Sequence, residues 1–100
     1  MNIKRRMPRP YGTHLYVISA PGWTKVGRSK HCHKRLAEIQ SHFPWLSLEL
    51  VGEWAAQGHQ EPALHRQLGS VYEKCAEWYR APADEVLALV ACQLAELDKV

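Results

Sequence analysis

The run His14-Leu15-Tyr16-Val17-Ile18-Ser19-Ala20-Pro21-Gly22-Trp23-Thr24-Lys25-Val26-Gly27-Arg28 decides the fold of this chain. His14 to Ser19 and Trp23 to Arg28 are rich in β-branched and aromatic residues, and Ala20-Pro21-Gly22 between them carries a turn dipeptide. The stretch therefore reads as a β-hairpin. Downstream, Ser29 stands as a helix cap, with Leu36, Ile39 and Phe43 at inward-facing helical spacing through about His42 and Lys30, Lys34 and Arg35 elsewhere around the helix. Pro44 ends it. Leu46, Leu48, Leu50 and Trp54 alternate with Ser47, Glu49, Val51 and Glu53, which predicts a third strand, with Gly52 marking a bulge. A second helix is expected from about His59 to Gly69, with Ala63, Leu64 and Leu68 on one face and Glu61 four residues before His65. An irregular segment leads to Pro82, which opens a last helix with Asp84 and Glu85 in its first turn and Val86, Leu87, Leu89, Val90, Leu94 and Leu97 behind. The expected architecture is α+β, a small three-stranded antiparallel sheet flanked by helices. It occupies residues 12–100 as one domain, after a mobile basic tail, 1–11, in which Pro8 and Pro10 disfavour both helix and strand.

Charge is polarised along the chain. From Met1 to Ala37 there are nine basic residues and no acidic one, whereas from Glu38 onward four basic residues face ten acidic. A cationic first part of this kind presents itself to a polyanion, and nucleic acid is the commonest such partner. Lys4, Arg5, Arg6, Arg9, Arg28, Lys30 and Lys34 are the candidate DNA contacts. No apolar run approaches the roughly 18 residues of a membrane span, and the basic start lacks the apolar stretch of a signal peptide. A soluble cytoplasmic protein with no membrane partner is the expectation. Three cysteines, Cys32, Cys75 and Cys92, suit neither a disulfide framework nor a paired zinc knuckle, so reduced thiols are expected.

Leu15-Tyr16-Val17-Ile18, a tight turn, Lys25-Val26-Gly27-Arg28-Ser29 and then Arg35-Leu36 together resemble the GIY-YIG nuclease superfamily. Glu61-Pro62-Ala63-Leu64-His65 is similar to the metal-ligand helix of that fold in the ExxLH form of its phage-associated DNA-binding branch, and Glu77-Trp78-Tyr79 resembles the signature that closes the branch. The resemblance covers about Gly12 to Val90. It implies that Tyr16 is the tyrosine of the first signature, Gly27 the glycine of the second, Arg35 the catalytic arginine, Glu61 the ligand of a single divalent cation and His65 the branch's recurring histidine. Two departures accompany it. Lys25 stands where the second tyrosine would be, and the late asparagine of many active members has no counterpart, since the only asparagine is Asn2.

Elementary chemistry gives each residue a role. Hydrolysis of a phosphodiester needs a cation for developing oxygen charge, a base for water and planar donors for nonbridging oxygens. A carboxylate such as Glu61, completed by waters, is a hard oxygen site for Mg²⁺ or Mn²⁺. Arg35 grips phosphate bidentately. Cations near Tyr16 favour phenolate, so its pKa is expected to fall, which makes it the first candidate for activating water; Lys25 is the other, as a base if neutral or a phosphate donor if charged. From pattern alone the same residues read more plainly: Tyr16 as a core tyrosine, Glu61 and His65 as an exposed helical pair, Arg35 as a solvated charge, and Trp78 and Tyr79 as packing, with Glu77 bonding a loop. His31-Cys32-His33 invites a zinc reading, but side chains so close need a second knuckle, for which Cys75 is the distant thiolate. Cys92, amid Val90, Ala91 and Leu94, reads as a buried small hydrophobe.

Three function classes stand after this reading. The first is a divalent-metal-dependent DNA endonuclease, the second a catalytically silent DNA-binding module of the same fold, and the third a small interaction protein with a basic face. One domain of this size offers few base contacts, which points to low specificity or a homodimer.

Overall fold

β1 (His14–Ala20) and β2 (Trp23–Ser29) pair antiparallel along their whole length, with Tyr16 opposite Gly27 and Ile18 opposite Lys25. Pro21 and Gly22 make the turn; Gly22 has φ +81°, a left-handed conformation that glycine adopts without a Cβ penalty. The computed structural model describes residues 12–98. The proposed tail with Lys4, Arg5, Arg6 and Arg9 lies outside the described residues, as do residues 99–100.

The remaining elements are α1 (Cys32–His42), β3 (Glu49–Trp54), a 3₁₀ turn (Gly58–Gln60), α2 (Glu61–Gly69), β4 (Lys74–Cys75), β5 (Trp78–Tyr79) and α3 (Ala83–Asp98). The class is α+β as expected, but the sheet has five strands, not three, in the order β3-β1-β2-β5-β4, with antiparallel pairing throughout. The two additional strands lie in the segment read as irregular, where β5 docks on β2 by pairing Tyr79 with Thr24 and Trp78 with Lys25. Two-residue strands are too short to show a period.

β1 is covered on both faces, which is why all four residues from Leu15 to Ile18 are buried. Leu15 and Val17 join Val26, Leu64, Leu68, Tyr79, Val86 and Val90 beneath α2 and α3. Tyr16 and Ile18 face the other way with Cys32, against Leu36, Ile39, Leu48, Leu50 and Trp78. The bulge in β3 occurs where Gly52 pairs with Val17 and Leu50 with Ile18, leaving Val51 as the extra residue. It switches the exposed pattern: Leu48 and Leu50 pack on the α1 side, while Val51 and Trp54 pack on the opposite side. Trp54 therefore does not share a face with Leu50, contrary to simple alternation.

Two further expectations are corrected. Ser29 is not the cap residue of α1, which starts three residues later; its Oγ instead accepts from the His31 backbone N–H at 3.0 Å. Cys92 is exposed. Val86 and Val90, four apart, form the buried stripe of α3, and a residue two beyond Val90 falls about 200° around the helix, on the solvent side.

Thr24 is fully buried in β2 and its hydroxyl donates to the Ala81 carbonyl at 2.8 Å. Thr24→Val keeps the shape and leaves that carbonyl without the bond, so a loss of about 1–3 kcal/mol is expected in urea unfolding. A stability equal to that of the wild-type chain would mean that the carbonyl finds water.

Candidate active site

Tyr16, Lys25, Arg28, Arg35, Glu61 and Glu77 line one polar cavity of about 270 Å³. They come from four elements and one turn. Tyr16 and Lys25 are neighbours on the α1 face of β1 and β2, Arg28 is next to last in β2, Arg35 is near the start of α1, and Glu61 is the first residue of α2. Glu77 is in the two-residue turn between β4 and β5. That turn holds Ala76 at φ 57°, a conformation costing a non-glycine residue roughly 1–2 kcal/mol. It is sustained by the strand pairs on either side, and it points Glu77 at Lys25.

The cavity mixes three cations with two carboxylates, and the carboxylates are paired. Arg28 Nε lies 3.2 Å from Glu61 Oε1, and Lys25 Nζ donates to Glu77 Oε1 at 2.5 Å. Lys25 also lies over the Trp78 ring, 5.8 Å from its centroid. Arg35 is half exposed, with Glu38 3.8 Å away on its own helix. Glu61, 8% exposed, starts a helix where negative charge is favoured by the N-terminal dipole.

Behind Glu61 stands His65, one turn along α2. Its Nε2 is 3.1 Å from Glu61 Oε2, and its Nδ1 bonds the Tyr79 hydroxyl. Nε2–H donates to the carboxylate, and the phenol lies against Nδ1. The His65 and Tyr79 rings stack with centroids 5.5 Å apart. His65 does not line the cavity, but its Nε2 holds the Glu61 carboxylate in place. Burial pushes the Tyr79 hydroxyl up to about 12, reinforced by Glu77 and Glu61, so it stays a phenol.

Tyr16 departs from expectation. Burial pushes its hydroxyl up to about 12; Arg35 pulls the other way, while Glu77, Glu61 and Cys32 add to the rise. The expected fall in pKa does not occur, because desolvation of a ring 2% exposed outweighs a single half-exposed guanidinium. At neutral pH Tyr16 is a hydrogen-bond donor. Gly27 makes its position available: a Cβ there would lie 2.5 Å from the Tyr16 Oη and 2.6 Å from Cζ.

Of the other candidates, Lys30 and Lys34 are exposed on or beside α1 and do not line the cavity. Trp78 packs into the core on the α1 side. Among the described residues, His31, His33 and Cys75 join no group of three ligating side chains, so the zinc reading of that triplet has no common centre. Glu77 is the cavity residue whose role sequence reasoning missed; its only signal was the Glu77-Trp78-Tyr79 signature. A second, largely apolar groove of about 240 Å³ lies between Ala20, Trp23, Phe43, Leu46, Cys75 and Trp78.

Glu77 also sets a pH dependence. Burial pushes its carboxyl up, but the Lys25 hydrogen bond and charge, with His65 and Lys74, outweigh this and hold it below the ordinary range. A carboxylate depressed on folding contributes stability that is present above its unfolded pKa of about 4.3 and is lost as pH falls through the lower folded value. The stability advantage of wild type over Glu77→Gln should therefore be constant above about pH 5 and shrink on acidification below it. Urea unfolding from pH 3 to 7 checks this; an advantage independent of pH would refute the Lys25 pairing.

A family model described as the T5orf172 domain matches residues 13–94 of the chain. No curated protein and no solved structure matches it. Among the described residues, no helix is long and apolar enough to cross a membrane.

Proposed function

Because the chain belongs to the T5orf172 domain family, we propose that it acts on DNA and hydrolyses phosphodiester bonds with a divalent cation held at Glu61, as its likeness to the GIY-YIG nucleases implies. The observation that carries this reading is the polar cavity itself, where a buried carboxylate, a buried tyrosine and three cations converge from four elements.

The donor set suits the ion. Glu61, His65 and Glu77 offer ligand atoms all within 4.8 Å of one another. Glu61 and His65, with waters completing the shell, would accommodate Mn²⁺ or Mg²⁺, which leaves Glu77 beside the ion as a base. When bound, such a cation supplies positive charge to the phosphate oxygens in the transition state. The chain's own residues do the rest. Arg35 and Arg28 bind phosphate, Arg35 by its planar fork. Tyr16, protonated at neutral pH, donates a hydrogen bond and orients either water or a nonbridging oxygen. Lys25, turned from Glu77 to the substrate, stabilises developing negative charge. Glu77, ionised at neutral pH and freed of Lys25, receives the proton of the attacking water.

One observation favours a second reading. Both cavity carboxylates are already neutralised by protein cations, Glu61 by Arg28 and Glu77 by Lys25. A module built that way binds DNA without cutting it. Nicking of supercoiled plasmid in Mg²⁺ or Mn²⁺, against a chelator control, separates the two. Duplex affinity that falls steeply with salt separates both from a protein-binding role. Deleting residues 1–9 removes Lys4, Arg5, Arg6 and Arg9, four of the nine cations of the first part. If about three of them contact phosphate, the slope of log K against log salt flattens by roughly 2–3 units; an unchanged slope makes the tail a spectator.

A further inference from the structure

A second cluster of ligating side chains lies apart from the cavity. His14 on β1, Cys32 at the start of α1 and Glu53 on β3 bring an imidazole nitrogen, a thiol sulfur and a carboxylate oxygen within 4.8 Å of one another. Around a tetrahedral zinc-class ion, such ligand atoms are about 3.3–3.6 Å apart. His14 Nδ1 and Glu53 Oε2, at 3.1 Å, are already close to that spacing. Cys32 is 2% exposed, whereas the side chains of His14 and Glu53 are 30% and 34% exposed, so the sulfur lies on the protein side and a fourth position opens toward water.

The register explains the convergence. Glu53 pairs with Tyr16, which puts its side chain on the α1 face of the sheet, and His14, two residues from Tyr16, shares that face. α1 then lays its first residue over both. The three ligands come from three elements separated in sequence by 18 and 21 residues. None of them has a part in the polar cavity.

We propose that His14, Cys32 and Glu53 form a binding site for a zinc-class divalent cation, distinct from the oxygen-rich site at Glu61. The donor types set the selectivity. A thiolate with an imidazole and one carboxylate suits Zn²⁺ or Co²⁺, while Mg²⁺, which prefers oxygen ligands, is rejected. Binding replaces the thiol proton by the metal and releases it to solvent. The ion ties β1, the start of α1 and β3 together at the end of the sheet where Tyr16 sits, so it clips the scaffold of the cavity without entering it.

The test uses the full chain with the two exposed thiols removed, Cys75→Ser and Cys92→Ser, and Co²⁺ as the probe. One equivalent of Co²⁺ should give sulfur-to-cobalt charge-transfer absorption together with intense tetrahedral visible bands, both abolished by Zn²⁺ and unaffected by excess Mg²⁺. Cys32→Ser should abolish the charge-transfer band. His14→Ala and Glu53→Gln, at part-exposed positions that leave the core intact, should each weaken Zn²⁺ binding by more than about tenfold. Glu61→Gln should leave the cobalt spectrum unchanged, whatever it does to DNA cleavage. Absence of charge transfer, a band indifferent to His14 and Glu53, or a band lost in Glu61→Gln would each overturn the site.

Discussion

Glu61→Gln should lower metal-dependent nicking by at least about a hundredfold while leaving duplex affinity equal to or above that of the wild-type chain. The amide keeps the size of the carboxylate and can still accept from His65 Nε2–H, so α2 and its contacts persist. Two things are lost, the charge that holds a divalent cation and the partner of Arg28. Removing a negative charge beside the phosphate site lessens repulsion, and an Arg28 released from its ion pair is free to bind phosphate. Binding and cleavage should thus move in opposite directions. Circular dichroism confirms folding, fluorescence anisotropy reads affinity, and plasmid nicking reads activity. Cleavage by a cleanly purified Glu61→Gln protein at the wild-type rate would remove Glu61 from the mechanism.

Gly27→Ala should damage both the fold and the cavity. The new Cβ would meet Tyr16 Oη at 2.5 Å and Cζ at 2.6 Å, so the buried ring must shift out of its place between β1 and α1. Overpacking of this kind costs about 1–3 kcal/mol, which for a chain of this size lowers the melting temperature by roughly 5–20 °C. The displaced hydroxyl also leaves the cavity, so nicking should fall more than stability does at a temperature where the variant remains folded. A cycle with Tyr16→Ala isolates the cause: with the ring removed, Gly27→Ala should cost far less, a coupling of more than about 0.5 kcal/mol between the two sites. Additive effects would show that Gly27 is needed for some reason other than the ring beside it.

How much of this could be read in advance depends on the kind of pattern each element leaves. The β1–β2 hairpin was legible because residues of strand-forming type flank a turn dipeptide, and α1, α2 and α3 because apolar residues recur every three or four positions. β4 and β5 left no such trace, as their existence is decided by the docking of Trp78 and Tyr79 against β2 rather than by local preference. The residue types of the cavity were legible too, since Tyr16, Lys25, Arg28, Arg35 and Glu61 were all singled out from motif and charge. What sequence could not supply was sign and pairing. Whether Arg35 or burial governs Tyr16 depends on how much water the ring retains. That Arg28 faces Glu61, rather than standing free for DNA, depends on how α2 is laid against the end of β2.

The two-residue length of β4 has a consequence for how copies of this chain meet. A sheet has two rims, each a row of open backbone donors and acceptors that invites another strand. Here one rim is Lys74 and Cys75, ended at once by the Ala76 turn; the other is β3, bent by its bulge at Val51 and lined with Glu49 and Glu53. Neither offers a straight, uncharged ladder. Copies of this chain brought to high local concentration can therefore sit side by side without fusing into a continuous sheet, and the fold guards against fibre formation.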